Sequence, residues 1–365
     1  MTLALGVLSG TSRDGIDVGL VRMTSRGPRL LKGATARYSR KVRDMLRRIP
    51  DLSLEETAIL DRMLGSDFSR AVERFLVQNK ILRSKIAVIG YHGQTLYHRS
   101  RVTTVQAGDP ARLAAETGIP VAADFRRSDM AVGGAGAPLA PVLDRCLVRL
   151  KPSLSRGRTC FLNIGGIANG TILEGQTILA AYDFGPGNAP LDVLANNLLR
   201  RPFDHRGRRA RRGRIRKKHI ERAMDHPYFR RRPPKSTGLE EFGSLFVKVL
   251  FGKGDLKKRL PPEDLLATMT EIVAASIARE LKRFRVKTTW VSGGGAHNQF
   301  LLERLRLLAK EAEIRTLEEA GMSVDFKEAV LFAYLGYLRW KRRRVDLRGI
   351  TGARRPALLG GLWLP

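Results

Sequence analysis

One carboxylate beside a rigid turn, together with three glycine-rich stretches, holds the residues of this chain best suited to chemistry. The carboxylate is Asp183 in YDFGPGN, Tyr182–Asn188, followed by Gly185, Gly187 and Asn188. At the end of an apolar run, such a group can serve as general base or metal ligand. It can equally be an Asx-type cap on the turn. The first glycine stretch is VLSGTSRDGID, Val7–Asp17. Phosphate needs backbone N–H donors and small residues that allow close approach, and Gly10, Thr11, Ser12 and Gly15 supply both. Asp14 and Asp17 could hold Mg²⁺ through water. A hairpin turn at Asp14-Gly15 accounts for the same residues, so this stretch alone leaves both readings open. NIGGIAN, with Asn163, Gly165 and Gly166, is a second loop of the same kind. GGGAHN, with Gly293, Gly294, Gly295 and Asn298, precedes a helix. There a flat group can lie against backbone while the helix N-terminus favours an anion.

Other candidates are weaker taken singly. Arg126 and Arg127 in DFRR could clamp an anion or be solvated charge. Glu328 in KEAVLFA could act in a site or simply favour the helix dipole. His92 and His98 are six residues apart, which is not helical metal spacing, and His297 has no obvious partner in the sequence. Neither a Ser-His-Asp nor a Cys-His constellation is readable. There is no GxxxxGK[ST] loop and no GxGxxG that follows a strand and opens a helix, which argues against a Rossmann dinucleotide site.

The elements that must position these residues follow from hydrophobic spacing. The first 23 residues read as two strands joined by a tight polar loop. Leu52–Gln78 has apolar residues at helical spacing. KIAVIGYHGQT reads as a short buried strand running into a polar loop, and GIPVAADFRRSDMAVGGAGAPLAP as another strand followed by a glycine-rich segment. RTCFLNIGGIANGTIL is strand, double glycine, strand. TTWVSGGGAHNQFLLERLRLLAK is strand, triple glycine, amphipathic helix, and DFKEAVLFAYLGYLRWKR is a further helix. Strands ending in glycine turns among helices argue an α/β fold. GTSRDGID and NIGGIANGT lie about 155 residues apart, compatible with a duplicated domain.

The chain has 66 Lys and Arg against 35 Asp and Glu, a net charge of +31. Residues 200–235 hold sixteen basic and three acidic residues, and 339–355 hold eight and one, so two segments carry about 20 of the excess. Such charge attracts nucleic acid or anionic surfaces. The aromatics of the first segment are not interleaved for base stacking, so nucleic-acid binding is possible but not favoured over a solvated insert. Two cysteines, Cys146 and Cys160, read as buried thiols. MTLALGVLSG has no signal-peptide pattern and no stretch approaches a membrane span, so a cytoplasmic protein is expected.

Ten blocks in order resemble the 1,6-anhydro-N-acetylmuramic acid kinase family: SGTSRDGID, GYHGQTLYH, QAGDPARLAAETGIPVAADFR, DMAVGGAGAPLAP, LNIGGIANGT, DFGPGN, HPYF…PPKSTG, SGGGAHNQFLLERL, DFKEAVLFAYL and TGARRPALLG. The resemblance runs from Leu5 to Gly360. It implies a two-domain actin-like, sugar-kinase (ribonuclease-H-like) fold with the nucleotide between the domains. Residues 1–130 with 335–365 would form one domain and 131–334 the other, the latter carrying the basic insert near 200–235. It implies ATP and Mg²⁺ as cofactors, a homodimer, and a role in recycling cell-wall sugar. Gly10, Thr11, Ser12, Arg13, Asp14, Gly15, Ile16 and Asp17 would form the ATP phosphate loop, and GGGAHN would lie near the adenosine. Asp183 would be the catalytic base. Arg126 and Glu328 would contact the sugar, with His92 and Thr95 as neighbours. Arg13, Phe184 and Leu239 depart from the family's usual pattern. A kinase for another sugar, or a kinase-like scaffold that binds nucleic acid, are the alternative readings.

Overall fold

The computed structural model describes every residue except Met1, Thr11, Ser12, Asp14, Arg26, Pro50, Lys253, Asp255, Lys257, Lys258 and Arg259. The chain divides into two compact units, Met1–Leu150 with Phe326–Pro365, and Lys151–Asp325. These bounds differ from the expected breaks after residues 130 and 334. Helix Ala140–Leu150 and the start of helix Lys327–Trp340 both belong to the first unit. A buried ion pair, Lys327 Nζ to Asp144 Oδ1 at 2.7 Å, ties these helices together.

The first unit is built on a seven-stranded sheet. Its strands are β1 (Thr2–Ser9), β2 (Ile16–Thr24), β3 (Gly27–Ala36), β4 (Ile86–Arg99), β5 (Thr103–Ala107) and β6 (Val121–Ala123). The last of its strands comes from the chain's end, Gly361–Trp363. β1, β2 and β3 form an antiparallel meander, and β4 lies parallel to β1 on its other side. β6 is parallel to β4, and Gly361–Trp363 closes that edge antiparallel to β6. β1 is buried from Ala4 onward, as expected of a central strand covered on both faces. Leu5 and Val7 join the core formed with Leu60, Leu64, Phe68 and Phe75 of helix Leu54–Gln78. That helix starts where Ser53 and Glu56 bond reciprocally to each other's backbone N–H.

The opposite face shows why glycine is needed. A Cβ on Gly6 would collide with the carbonyl of Ala329, and one on Gly90 with that of Phe332. Gly6 and Gly90 are register partners on β1 and β4. Together they clear a trough in which helix Lys327–Trp340 lies directly on the sheet. Gly336 completes the approach from the helix side, since a Cβ there would meet the Gly90 backbone.

The second unit holds β7 (Arg158–Ile164), β8 (Ile167–Glu174), β9 (Thr177–Pro186), β10 (Thr288–Ser292) and β11 (Glu313–Thr316). β7, β8 and β9 form an antiparallel meander; β10 is parallel to β7 and β11 to β10. Both units therefore begin with a three-stranded meander whose first strand pairs in parallel with a later one. That is the pattern a duplicated domain would have. Buried helix Pro262–Arg283 packs against β9 and helix Ala189–Leu199. Among the described residues, no helix is long and apolar enough to cross a membrane.

Candidate active site

In the second unit the three loops after buried strands meet at one end of the sheet. Gly187 N–H donates to the Gly166 carbonyl at 3.0 Å, and Asn188 N–H to that of Gly165 at 2.8 Å. The Asn188 amide also donates to the Ile164 carbonyl at 3.1 Å. Gly293 has a positive φ of 79° and sits against the Asn163 amide oxygen, where a Cβ would not fit. Gly295 packs on Ile164 with the same restriction. Gly294–His297 is a short 3₁₀ turn, after which Asn298 caps helix Gln299–Leu308 through a bond from Leu301 N–H at 3.1 Å. Asn163, Gly165, Gly166, Gly187, Asn188, Gly293, Gly294 and Gly295 are thus brought together, with Asn298 at their edge. Small residues and backbone amides at a helix start are the components of an anion cradle.

Asp183 stands on β9 beside these loops. The register sets Asn163 opposite Asn169 and Asn169 opposite Asp183, so three polar side chains share one face across β7, β8 and β9. Asp183 Oδ2 accepts the Thr237 backbone N–H at 3.1 Å. Gly185, with φ 149°, lets the chain turn past the ring of Phe229. Phe184 is completely buried, and its ring fills the space left by Gly170, whose register partner is Tyr182. It therefore points away from Asp183, through the opposite face of the sheet. Leu239 is 42% exposed and lies over Gly166.

In the first unit Arg126, His92 and Glu328 are brought together. Arg126 lies on a short helix, Phe125–Ala131. Its Nε–H donates to His92 Nε2 at 3.0 Å and its Nη1 to the Gly136 carbonyl at 3.0 Å. His92 Nδ1 faces the Gly93 carbonyl at 3.2 Å. An imidazole that accepts at Nε2 and donates at Nδ1 is neutral. Burial, and then the adjacent Arg126 charge, lower its pKa to about 3. Glu328 lies in the first turn of helix Lys327–Trp340. It keeps accessible surface, yet surrounding protein atoms raise its carboxyl above the ordinary value, opposed by Arg126 and Lys327. Arg127 pairs instead with Asp124 at 3.6 Å and is more than half exposed. Thr95 is on β4, opposite Gln106.

Of the first glycine loop, Thr11, Ser12 and Asp14 lie outside the described residues. Gly10 offers its carbonyl to Arg13 N–H at 3.2 Å and to the Gln94 amide at 3.4 Å. Gly15 lies too close to Thr35 and Ala36 for any side chain, and Ile16 begins β2, buried. Asp17 Oδ1 accepts the Thr35 hydroxyl at 2.6 Å. Arg13 has a positive φ of 57°, and its Nη1 donates to the Leu46 carbonyl at 2.9 Å. It caps the end of helix Arg40–Arg47. Among the described residues, no group of three or more His, Cys, Asp or Glu could hold a metal ion.

Three sequence expectations need correction. HGQTLYHR is not a loop: β4 continues through Arg99, because β5 turns back and supplies its hydrogen-bond partners. The strand in GIPVAADFRR is only three residues long, since Asp124 adopts a left-handed conformation that starts the helix bearing Arg126. His297 has a partner, Asp325 Oδ1, at 2.7 Å from Nε2.

The sequence reading missed the residues that hold these groups in place. Asp129 is fully buried, and its carboxylate accepts Gly136 N–H and the Thr351 hydroxyl, both at 2.8 Å. It thereby fixes the loop whose carbonyl receives Arg126. The glycines of DMAVGGAG were a signal, because Gly134 has no room for a side chain beside Asp129. Behind Asp183 lies a buried network of Lys235, Glu280, Tyr182 and Tyr228 that nothing local in the sequence announces.

Comparison with known proteins shows the family and the fold. A family model described as anhydro-N-acetylmuramic acid kinase matches residues 2–365. A protein of that name from Saccharophagus degradans is 36% identical over 374 residues, spanning 100% of this chain and 99% of its own length. One from Coxiella burnetii is 37% identical over 377 residues, spanning 98% and 96%. The fold is also that of the activator of the 2-hydroxyisocaproyl-CoA dehydratase from Clostridium difficile, solved with bound ADPNP. The two share 14% identity and a TM-score of 0.51, over 93% of this chain and 96% of that one. The architecture is the two-domain actin-like fold, and the chain belongs to the anhydro-N-acetylmuramic acid kinase family, a family of phosphotransferases.

Proposed function

We propose that the chain uses ATP to phosphorylate O6 of 1,6-anhydro-N-acetylmuramic acid while water opens the anhydro bridge, giving N-acetylmuramic acid 6-phosphate. The observation that carries this reading is the placing of one carboxylate, Asp183, beside three clustered glycine loops, in a chain with full-length family membership. Asp183 takes the proton of the attacking water. The water oxygen bonds to C1 as the C1–O6 bond breaks, and O6 bonds to the γ-phosphorus as the bond to ADP breaks. Ordinary inverting cleavage needs a second carboxyl group to protonate the leaving oxygen. Here O6 receives a phosphoryl group instead, so a single carboxylate suffices.

Arg126, Glu328, His92 and Thr95 form the sugar subsite, and the loops at Gly10–Asp17, Asn163–Asn169 and Gly293–Asn298 hold the nucleotide. Mg²⁺ would neutralise charge on the phosphates, and it usually needs only one or two carboxylates with water in between. Asp17 suits that part, and Asp14 is the second candidate. A homodimer in the cytoplasm, where ATP is available, completes the proposal; light scattering after size exclusion checks the dimer.

The test is a direct assay with 1,6-anhydro-N-acetylmuramic acid, ATP and Mg²⁺, with the product's mass measured. Asp183→Asn should lower kcat by about 10²- to 10⁴-fold, the usual contribution of a general base, and leave ATP binding intact. Undiminished turnover in that variant removes Asp183 as the base. Leu239 is the observation that favours a second reading, a kinase for a related sugar, because an aliphatic side chain covers Gly166. Greater turnover on another anhydro or amino sugar would establish it.

A further inference from the structure

Asp183 is held from three directions by a segment that the family reading leaves without a role. Its N–H donates to the Lys235 carbonyl at 3.3 Å. Its carbonyl accepts the Tyr228 hydroxyl at 2.6 Å. Its carboxylate accepts the N–H of Thr237, two residues beyond Lys235, at 3.1 Å. The segment is anchored in turn by a charge pair with almost no solvent access. Lys235 Nζ lies 2.9 Å from Glu280 Oε1, with side-chain exposures of 2% and 0%. Glu280 Oε2 accepts the Tyr182 hydroxyl at 2.7 Å and Arg283 Nη1 at 2.9 Å. The ammonium also lies 4.6 Å from the centre of the Tyr228 ring, the residue that grips the Asp183 carbonyl. The Thr237 hydroxyl is tied to Glu241 Oε2 at 2.5 Å.

A buried charge pair is a poor way to gain stability, because desolvation cancels most of the attraction. What it supplies is direction. Helix Pro262–Arg283 is buried along most of its length and forms a rigid wall. Glu280 on that wall fixes Lys235, and Lys235 fixes the strip that carries Thr237. We propose that Lys235 and Glu280 form a latch, with Tyr228 as its second arm, that positions the Asp183 carboxylate for proton abstraction. All three are positioning residues, and the inference rests on Asp183 being the base.

Three variants test it. Tyr228→Phe removes one hydroxyl and keeps the ring, so it preserves the fold best. Glu280→Gln keeps the shape of the anchor, and Lys235→Met keeps much of its length. Misplacement of a catalytic group costs about 10- to 100-fold, so each should lower kcat within that range while the KM for ATP changes by less than about twofold. The pH profile separates positioning from general damage. A hydrogen bond to a carboxylate favours its charged form, so loosening the Thr237 N–H moves the acid limb of kcat to higher pH. Among the described residues, the charged and ionisable groups around the base and its latch are Tyr228, Lys235, Glu241 and Glu280, with Tyr182 and Arg283 on Glu280 and Arg231 and His226 on Glu241. Losing Glu280's charge alone would move the limb down and losing Lys235's would move it up. Tyr228→Phe changes no charge near neutral pH, so an upward move in that variant reports geometry. Folded variants with unchanged kcat and an unchanged acid limb, beside an inactive Asp183→Asn, overturn the latch alone. An active Asp183→Asn overturns the base assignment and the latch with it.

Discussion

His92 and Arg13 show how far the surroundings of a side chain decide what it does. His92 bonds to Arg126 through its unprotonated nitrogen, so protonation would set two cations against each other. Its pKa falls from 6.5 to about 3 on folding. The unfolded chain therefore binds that proton more readily between these limits. The associated stability is complete above about pH 6.5 and is lost as pH falls toward 3, by up to about 1.4 kcal/mol per pH unit for one group. Melting temperature against pH should show this slope, and His92→Gln should flatten it; an unchanged slope would place the dependence elsewhere. Arg13 contacts helix Arg40–Arg47 through the Leu46 carbonyl. Arg13→Leu should lower stability by about 1 kcal/mol, the ordinary worth of one hydrogen bond, and change the KM for ATP only modestly. A large rise in kcat would instead mark the side chain as an obstruction. The arginine was conspicuous in the sequence, but its partner, 33 residues away, was not.

Among the elements, helix Lys327–Trp340 and the glycine trough beneath it do most to shape the first unit. Gly6→Ala or Gly90→Ala would drive a methyl group into the helix backbone. Overpacking of this kind costs about 3 kcal/mol or more where backbone cannot yield. Denaturant unfolding should register that loss, and activity should fall because Glu328 rides on the displaced helix; full stability in both variants would mean that the helix can lift without cost. The glycine loops, the strands before them and the two long helices were legible because they depend on local pattern. The extent of β4 was not, since it depends on pairing with β5. The Lys235–Glu280 latch was hidden for another reason. Its members are 45 residues apart, and a lysine in an arginine-rich stretch reads as solvated until the fold buries it.

At the scale of the whole molecule, the basic stretch changes character once folded. It is part of the second unit rather than a loose arm, with Ala210, Ala223, Tyr228 and Phe229 buried. Several of its cations meet acids elsewhere in that unit: Arg209 with Glu263, Arg211 with Glu303, Arg216 with Asp264 and Lys235 with Glu280. The exposed remainder should bind a single-stranded oligonucleotide weakly, with affinity falling steeply as salt rises. Fluorescence anisotropy across a salt series measures this. Tight binding that resists salt would revive the nucleic-acid reading. The glycine trough also bears on motion. β1 leads into the first glycine loop, and Glu328 sits at the head of the helix pressed onto β1, where at Gly6 no side chain stands between strand and helix backbone to absorb a shift. If the loop and Glu328 hold nucleotide and sugar as proposed, each ligand stiffens the element that serves the other, so amide exchange in β1 should slow when sugar alone is added.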